Sequence, residues 1–375
     1  MSMRSVTSPY LYSHAMGTPF KSVTVLRGHG ALSNPPGRFE TRATEAVDDG
    51  WYQDEVASTV PLSIEPDHAR SVISGNDSPD IPFEQSINPY RGCGHACPYC
   101  YARPSHAYLG LSPGLDFETR LFYKQDAGRL LERELSRPGY RCKTITLGAN
   151  TDPYQPIERR MRVTREILEV LARCRHPVTV ITKGALVLRD LDLLGALARE
   201  NLVRVGISIT TLDAELKRTM EPQAASPAAR LRLVRELTAA GVPAGVLVAP
   251  VIPALTDHEM ERIVQAAAEA GARWAGYVLL RLPHEVGPLF RQWLETHYPE
   301  RASHVLSLIR QMREGRDDDP RFGHRMRGTG PLAELLRARF HAACRCCGLN
   351  TQRSAPLDVS RFRAPAGERQ LTLGF

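Results

Sequence analysis

No apolar run in this sequence is long enough to cross a bilayer. The longest, Gly241 to Leu255, is broken by Pro243, Pro250 and Pro253, and falls short of the ~20 residues that a membrane helix needs. A charged-then-apolar N-terminal segment with a small-residue cleavage site is also absent, so secretion is not expected and the chain is read as cytoplasmic. No short tandem repeat or low-complexity tract appears, and membrane-spanning and collagen-like architectures are excluded. Charged residues make up 24% and hydrophobic ones 42%, a balance too apolar for wholesale disorder. At ~100–200 residues per domain, 375 residues imply two domains or one large α/β barrel with appendages.

Lysine is missing from the last part of the chain. From Arg301 to Phe375 there are 14 basic residues, all arginine, against 7 acids, a surplus of 7, which equals the net charge of +7. The first 300 residues therefore balance, with 48 − 14 = 34 basic and 41 − 7 = 34 acidic. Arginine suits bidentate phosphate contacts, so this tail is a candidate nucleic-acid contact; a solvated surface is the alternative.

From about Ser86 the chain alternates β-branched runs with amphipathic stretches. Strands are predicted at Ser86–Tyr90, Thr144–Gly148, Val178–Thr182, Val203–Thr210, Ala244–Val251 and Ala275–Leu282. Helices are predicted near Asp126–Ser136, Arg162–Cys174, Leu188–Glu200, Pro227–Ala240 and Asp257–Ala270. Nearly continuous apolar strands are those covered on both faces. Six βα repeats then imply a parallel sheet, either doubly wound or closing into a barrel. The fold expected is α/β, a partial (β/α)6 TIM-like barrel over residues 81–285. An N-terminal extension, 1–80, is read as loosely organised and wrapping the core, its first 20 or so residues disordered and Ser71–Asp80 a polar loop. A helical, Arg-rich extension covers 286–375, with helices at Pro288–His297, Arg301–Arg313 and Pro331–Ala343.

Six of the eight cysteines fall in two clusters, which in a reducing compartment reads as metal ligation rather than a disulfide framework. Cys93-Gly-His-Ala-Cys97-Pro-Tyr-Cys100 directly follows the first predicted strand. Three thiolates this close can converge on one centre, and soft thiolates suit iron–sulfur clusters and zinc. Zinc would want a fourth protein ligand; His95 is inside the loop but must fold back between the cysteines it separates. The second cluster, Cys344, Cys346 and Cys347, supplies three thiols, two of them adjacent and hard to aim at one ion, and an auxiliary metal there is a minor alternative.

A C-x3-C-x-aromatic-C loop after strand one of a βα repeat resembles the radical S-adenosylmethionine (radical SAM) superfamily. Asn88-Pro-Tyr-Arg-Gly-Cys93, Thr151-Asp-Pro-Tyr-Gln-Pro156 and Glu221-Pro222 are similar to its spore photoproduct lyase-like branch, often labelled DNA repair photolyases, over roughly Ile87–Leu282. The resemblance implies a [4Fe–4S] cluster on Cys93, Cys97 and Cys100, with the fourth iron chelated by S-adenosylmethionine. It also implies reductive cleavage of that cofactor to a 5′-deoxyadenosyl radical, fed by an electron donor such as flavodoxin or ferredoxin. Tyr99 matches the aromatic that borders adenine. The family often has Gly-Gly-Glu after strand two to hold the methionine amine. This chain has Gly148-Ala149-Asn150-Thr151-Asp152, so Asn150, Thr151 or Asp152 must substitute. Lys183 is placed to meet the methionine carboxylate, and Ser208 and Thr210 the ribose. All lie at carboxyl ends of strands, where barrel active sites gather. Cys142 stands at a place similar to the cysteine that returns hydrogen to the product in spore photoproduct lyases; a small buried hydrophobe is the commoner fate of such a residue. Cys174, His106 and His284 are read as structural.

Fold does not name a substrate. A nucleic acid is favoured on the resemblance, the tail and the stacking aromatics Tyr99, Tyr101, Tyr108 and Tyr154. A peptide or small metabolite fits the balanced charge of the first 300 residues, and a zinc-binding nucleic-acid module without enzymatic activity is the third reading.

Overall fold

The computed structural model describes residues 26–40, 60–351 and 355–365. Six parallel strands form the centre: β1 (Gln85–Ile87), β2 (Ile145–Leu147), β3 (Val178–Thr182), β4 (Val203–Ser208), β5 (Ala244–Val251) and β6 (Ala275–Leu279). They pair in chain order, and Ile73–Gly75 adds antiparallel to β1. The two ends of this sheet do not meet, so the barrel is partial, as expected. Helices follow the strands: α1 (Ala127–Leu135), α2 (Val163–Arg173), α3 (Leu191–Arg199), α4 (Pro227–Ala239) and α5 (Met260–Glu269). Every predicted strand and helix of the barrel is present within a few residues of its expected bounds.

Strand residues such as Val178, Val180, Val203, Val205, Ile207, Val246 and Ile145 are wholly buried. Residues 145–147 of β2 and 205–208 of β4 are buried in succession, so those stretches are covered on both faces, whereas burial alternates along β3. α4 starts where Ser226 Oγ accepts from Ala229 N (3.2 Å), with Pro227 in the first turn, a normal helix opening. Trp274 lies flat on the sheet. A Cβ on Gly245 would stand 2.2 Å from its indole, so only glycine fits on β5 there.

Three further helices follow the barrel: α6 (Val286–His297), α7 (Pro299–Gln311) and α8 (Gly330–Cys346). α6 and α7 bury Phe290, Trp293, Leu294 and Val305 against Met220, Ile252 and Leu280. At the opposite, amino end of the barrel, Phe362 packs edge-on against buried His176 and against Tyr140, whose OH lies 2.8 Å from His176 Nε2.

The N-terminal region departs from expectation. Ser63–Asp67 pairs parallel with Arg120–Lys124, which pairs antiparallel with Tyr90–Arg91, making a second, three-stranded sheet. The predicted first strand, Ser86–Tyr90, is thus split between two sheets. Ser71–Asp80 is not all loop, because Ile73–Gly75 is a strand. Residues 26–40 are fixed to the core, as the next section shows; the disorder expected for the first 20 or so falls outside the described residues.

Candidate active site

The cysteine loop leaves the carboxyl end of β1 and is held from two sides. On one side the wholly buried Gln155 accepts from Gly94 N (2.8 Å) and donates to Gly92 O (3.1 Å), while Cys93 N donates to Phe117 O (2.9 Å). On the other, the buried Arg103 donates to Cys97 O (2.8 Å), Pro113 O (3.0 Å) and Gly114 O (2.8 Å), and pairs with Glu118. Glu118 in turn accepts from Ala31 N (2.8 Å), Gly30 N (3.2 Å) and His29 Nδ1 (3.0 Å). This ties residues 26–40 to the loop as a strap. The approach is tight: a Cβ on Gly30 would lie 1.9 Å from Ala96 O.

A second buried carboxylate sits across the loop. The short helix Ala214–Met220, capped by Asp213 Oδ1 (2.7 Å from Glu215 N), delivers Glu221 at its end. Glu221 is wholly buried. It accepts from Tyr99 OH and from Thr210 Oγ1 (2.7 Å), pairs with Arg230, and lies 3.8 Å from Lys183 Nζ. Burial alone would raise its pKa; the Arg230 guanidinium and the Lys183 ammonium override that and hold it down at about 2. Asp152 behaves alike. Burial opposes its charge, but His95 (3.3 Å), Thr182 Oγ1 (2.6 Å) and Lys183 N (2.7 Å) hold it at about 2.

The three thiols lie between these carboxylates. Cys93 and Cys97 are buried and Cys100 partly so. Burial pushes the Cys97 thiol up to about 12, the Glu221 charge adding to it and Lys183 opposing it. Cys93 is raised well above its ordinary value by burial, by Asp152, and by Cys100 and Cys97 themselves. Such a crowd of thiols is relieved by a cationic centre that takes them as thiolates. Among the described residues, no three His, Cys, Asp or Glu side chains are placed to grasp a single metal ion. His95 is turned to Asp152 rather than toward the cysteines. His95 is thus engaged outside the ligand set that the zinc-module reading gives it, and three thiols on one loop suit a polynuclear cluster bound at three corners.

The family model for the Radical SAM superfamily matches residues 87–267. Uncharacterized protein Rv2578c of Mycobacterium tuberculosis is 40% identical over 233 residues, 62% of this chain and 68% of its own. The chain belongs to the radical SAM superfamily. Uncharacterized protein MJ0683 of Methanocaldococcus jannaschii is 28% identical over 214 residues, covering 57% of this chain and 76% of that one. Among solved structures, spore photoproduct lyase complexed with dinucleoside spore photoproduct superposes with a TM-score of 0.53 at 17% identity, over 76% of this chain and 79% of that one. A variant of that lyase with bound AdoMet and dinucleoside spore photoproduct gives 0.53 at 17% over the same shares. That likeness shows the fold, a partial radical SAM barrel, and the chain is an enzyme of the radical SAM class.

In this radical SAM enzyme the expected site residues do not all reach the mouth. Asn150 N donates to Asn88 Oδ1 (2.9 Å), and its half-buried side chain has no hydrogen bond among the described residues. Thr151 is otherwise engaged, its hydroxyl donating to Tyr90 O (2.8 Å). Asp152 is filled by the contacts above and Tyr154 N (2.8 Å). Of the three, only Asn150 keeps a side chain to offer. Lys183 meets Ala249 O (3.3 Å) besides Glu221, Ser208 is buried on β4, and Thr210 also bonds Ala249 O (3.0 Å).

Cys142 does not share this end. It precedes the amino end of β2, half-buried, with its thiol pushed up to about 12 by burial. The parallel strand carries the chain ~3.3 Å per residue away from it, so the hydrogen-donor reading fails on placement. Cys344 is buried at the end of α8 and Cys346 exposed; they form no metal set among the described residues. His106 is buried under the loop with Nε2 3.0 Å from Arg120 O, and His284 is exposed.

Among the aromatics, Tyr154 is corrected to core, its OH donating to buried Asp190 (3.0 Å). Tyr101 does face the mouth: 46% exposed, its OH on Ala149 O, with the Arg281 guanidinium 5.6 Å from its ring centroid. Tyr108 packs at a tilt of 46° against Phe39 (5.0 Å between centroids) on the outer surface.

The arginine tail is also corrected in part. Arg313 is buried on Leu280 O, His324 O and Arg325 O. Arg310, Arg321, Arg325, Arg339 and Arg361 pair with Asp317, Asp319, Asp80, Glu261 and Glu200. Three of these partners, Asp80, Glu261 and Glu200, lie outside the tail, so part of its surplus is spent on internal pairing.

Proposed function

We propose that Cys93, Cys97 and Cys100 hold one [4Fe–4S] cluster, that S-adenosylmethionine binds beside it, and that the substrate is a nucleic acid. What carries the reading is the family match over residues 87–267, whose loop brings three buried or half-buried thiols to the carboxyl end of β1, near enough to raise the pKa of Cys93. When bound, the cluster and cofactor supply one-electron cleavage to methionine and a 5′-deoxyadenosyl radical that abstracts hydrogen from substrate. The chain's own residues bind and orient. Lys183 offers a cation to the methionine carboxylate, Asn150 a polar group to the amine, Tyr99 a ring edge to adenine and Ser208 a hydroxyl to the ribose, while Thr210, its own hydroxyl held by Glu221 and Ala249 O, borders the ribose. The strap and the α6–α7 pair exclude water from the loop. Electrons come from a small donor such as flavodoxin or ferredoxin. No helix among the described residues is long and apolar enough to cross a membrane.

Support for a nucleic acid comes from the fold likeness to spore photoproduct lyase and from Tyr101 under Arg281, a stacking platform open to solvent. A second reading, a peptide or small metabolite, is favoured by the internal pairing of the tail arginines. The test begins with anaerobic reconstitution, dithionite reduction and chromatography for 5′-deoxyadenosine. The expected product appears in the native enzyme and vanishes in Cys97→Ala; one zinc and no iron after anaerobic purification would defeat the cofactor reading. For the substrate class, single-stranded oligonucleotide affinity should fall steeply between 50 and 200 mM salt. A flat response or no binding selects the second reading.

A further inference from the structure

Three residues that face the proposed cofactor share one buried partner. Tyr99 comes from the cysteine loop, Lys183 from the end of β3 and Thr210 from just beyond β4, yet all three reach Glu221. Its other oxygen is taken by Arg230, which also donates to Ser208 O (3.0 Å) and Ala225 O (2.9 Å). We infer that Glu221 is the positioning residue of this site: one carboxylate sets the Tyr99 ring and keeps the Lys183 ammonium at the barrel mouth. The inference rests on the cofactor reading above.

The physical argument is one of charge count. Lys183 and Arg230 approach opposite oxygens of the same carboxylate in a water-poor pocket. Without it, two cations share that pocket with only the more distant thiolates of the cysteine loop as counter-charge, and their repulsion at low dielectric is strong. Arg230 is pinned by two backbone carbonyls; Lys183 has four rotatable bonds and one carbonyl at 3.3 Å. The lysine therefore swings out, and its contribution to binding the cofactor's carboxylate is lost. The Tyr99 hydroxyl loses its acceptor too, which frees the ring. At 3.8 Å the contact with Glu221 is an ion pair without a tight hydrogen bond, leaving the ammonium's protons available to a ligand.

The test measures S-adenosylmethionine affinity by equilibrium dialysis on anaerobically reconstituted protein, and the electron paramagnetic resonance spectrum of the reduced cluster with and without it. Glu221→Gln should retain iron and sulfide content and the cofactor-free spectrum, weaken binding at least tenfold, and blunt the spectral change on adding S-adenosylmethionine. Lys183→Met should give a comparable loss, and the double variant little more, because Glu221 acts through the lysine. Native affinity in a folded Glu221→Gln protein, or losses that simply add, would overturn the proposal. Should Glu221→Gln not fold, Tyr99→Phe and Thr210→Val keep the Glu221–Arg230 pair and are each expected to weaken binding about threefold; native affinity in both would overturn it. Failure of the cofactor reading looks different, since then the native protein itself binds no S-adenosylmethionine.

Discussion

Two buried arginine–glutamate pairs flank the cysteine loop, and they are wired differently. Arg103 and Glu118 spend their remaining hydrogen bonds almost wholly on backbone: Cys97 O, Pro113 O and Gly114 O on one side, Gly30 N and Ala31 N on the other. Glu221 spends its remaining bonds on the side chains of Tyr99, Thr210 and Lys183. A buried pair is weak support for stability in itself, since desolvation offsets attraction. What its spare valences touch then indicates what it is for. Backbone partners make the first pair a fastener for chain segments. Movable side chains make the second a means of setting a site.

Breaking each pair on one side should separate these roles. Arg103→Met leaves Glu118 buried without its cation and should cost about 3–5 kcal/mol in urea unfolding. Arg103→Met with Glu118→Leu removes the unpaired charge but orphans Cys97 O, Pro113 O, Gly114 O, Gly30 N and Ala31 N, so it should recover only part of that, while the folded, loaded protein should bind S-adenosylmethionine as the native one does. Arg230→Met with Glu221→Leu should likewise recover only part of the stability lost on breaking the pair from one side, since Ser208 O, Ala225 O and Tyr99 OH lose their partners, and should fail to recover cofactor affinity. Equal recovery of affinity in both double variants would erase the distinction.

Acid offers a gentler probe. His176 is wholly buried and held neutral, its pKa lowered to about 4 by burial, against ~6.5 when unfolded. The stability this contributes is complete above ~6.5 and lost as the pH falls toward 4, roughly 3 kcal/mol in all. Glu221 and Asp152, held at about 2, contribute stability present above ~4 and lost as pH falls through 2. Thermal melts from pH 8 to 2 should show two steps, and His176→Gln should shrink the upper one, to which His106, its pKa also lowered by burial, contributes the rest. Gly30→Ala should cost about 1–3 kcal/mol through overpacking and loosen the strap without touching Glu221. Smallest of all, Arg361→Ala removes an exposed pair with Glu200 and should change stability by less than ~1 kcal/mol.

How much of this was legible in the sequence follows from range. Barrel strands and helices announce themselves because apolar period is local and the βα rhythm repeats. The three-stranded sheet does not: Ser-Ile-Glu-Pro-Asp at 63–67 carries two acids and a proline, and its parallel partner is Arg120–Lys124, far along the chain. The C-x3-C-x2-C spacing of Cys93, Cys97 and Cys100 is legible because it is itself local. Glu221 could be quoted within a motif, but its office depends on residues 99, 183, 210 and 230 meeting in space. Thr151, Asp152 and Tyr154 were over-read for the same reason, since position after a strand does not say which hydroxyl or carboxylate is already bonded. Composition counted the tail arginines without revealing their acidic partners.

Two tryptophans give these regions an optical readout. Trp274 lies across β4 and β5, against the backbone of Gly206 and Gly245, and reports on the integrity of the sheet. Trp293, wholly buried on α6, donates its indole N–H to Thr219 O (3.1 Å), two residues before Glu221. Its emission is thus coupled to the turn that delivers Glu221, so a single-tryptophan protein made by replacing the others would show by colour and polarisation whether that turn shifts when a ligand arrives.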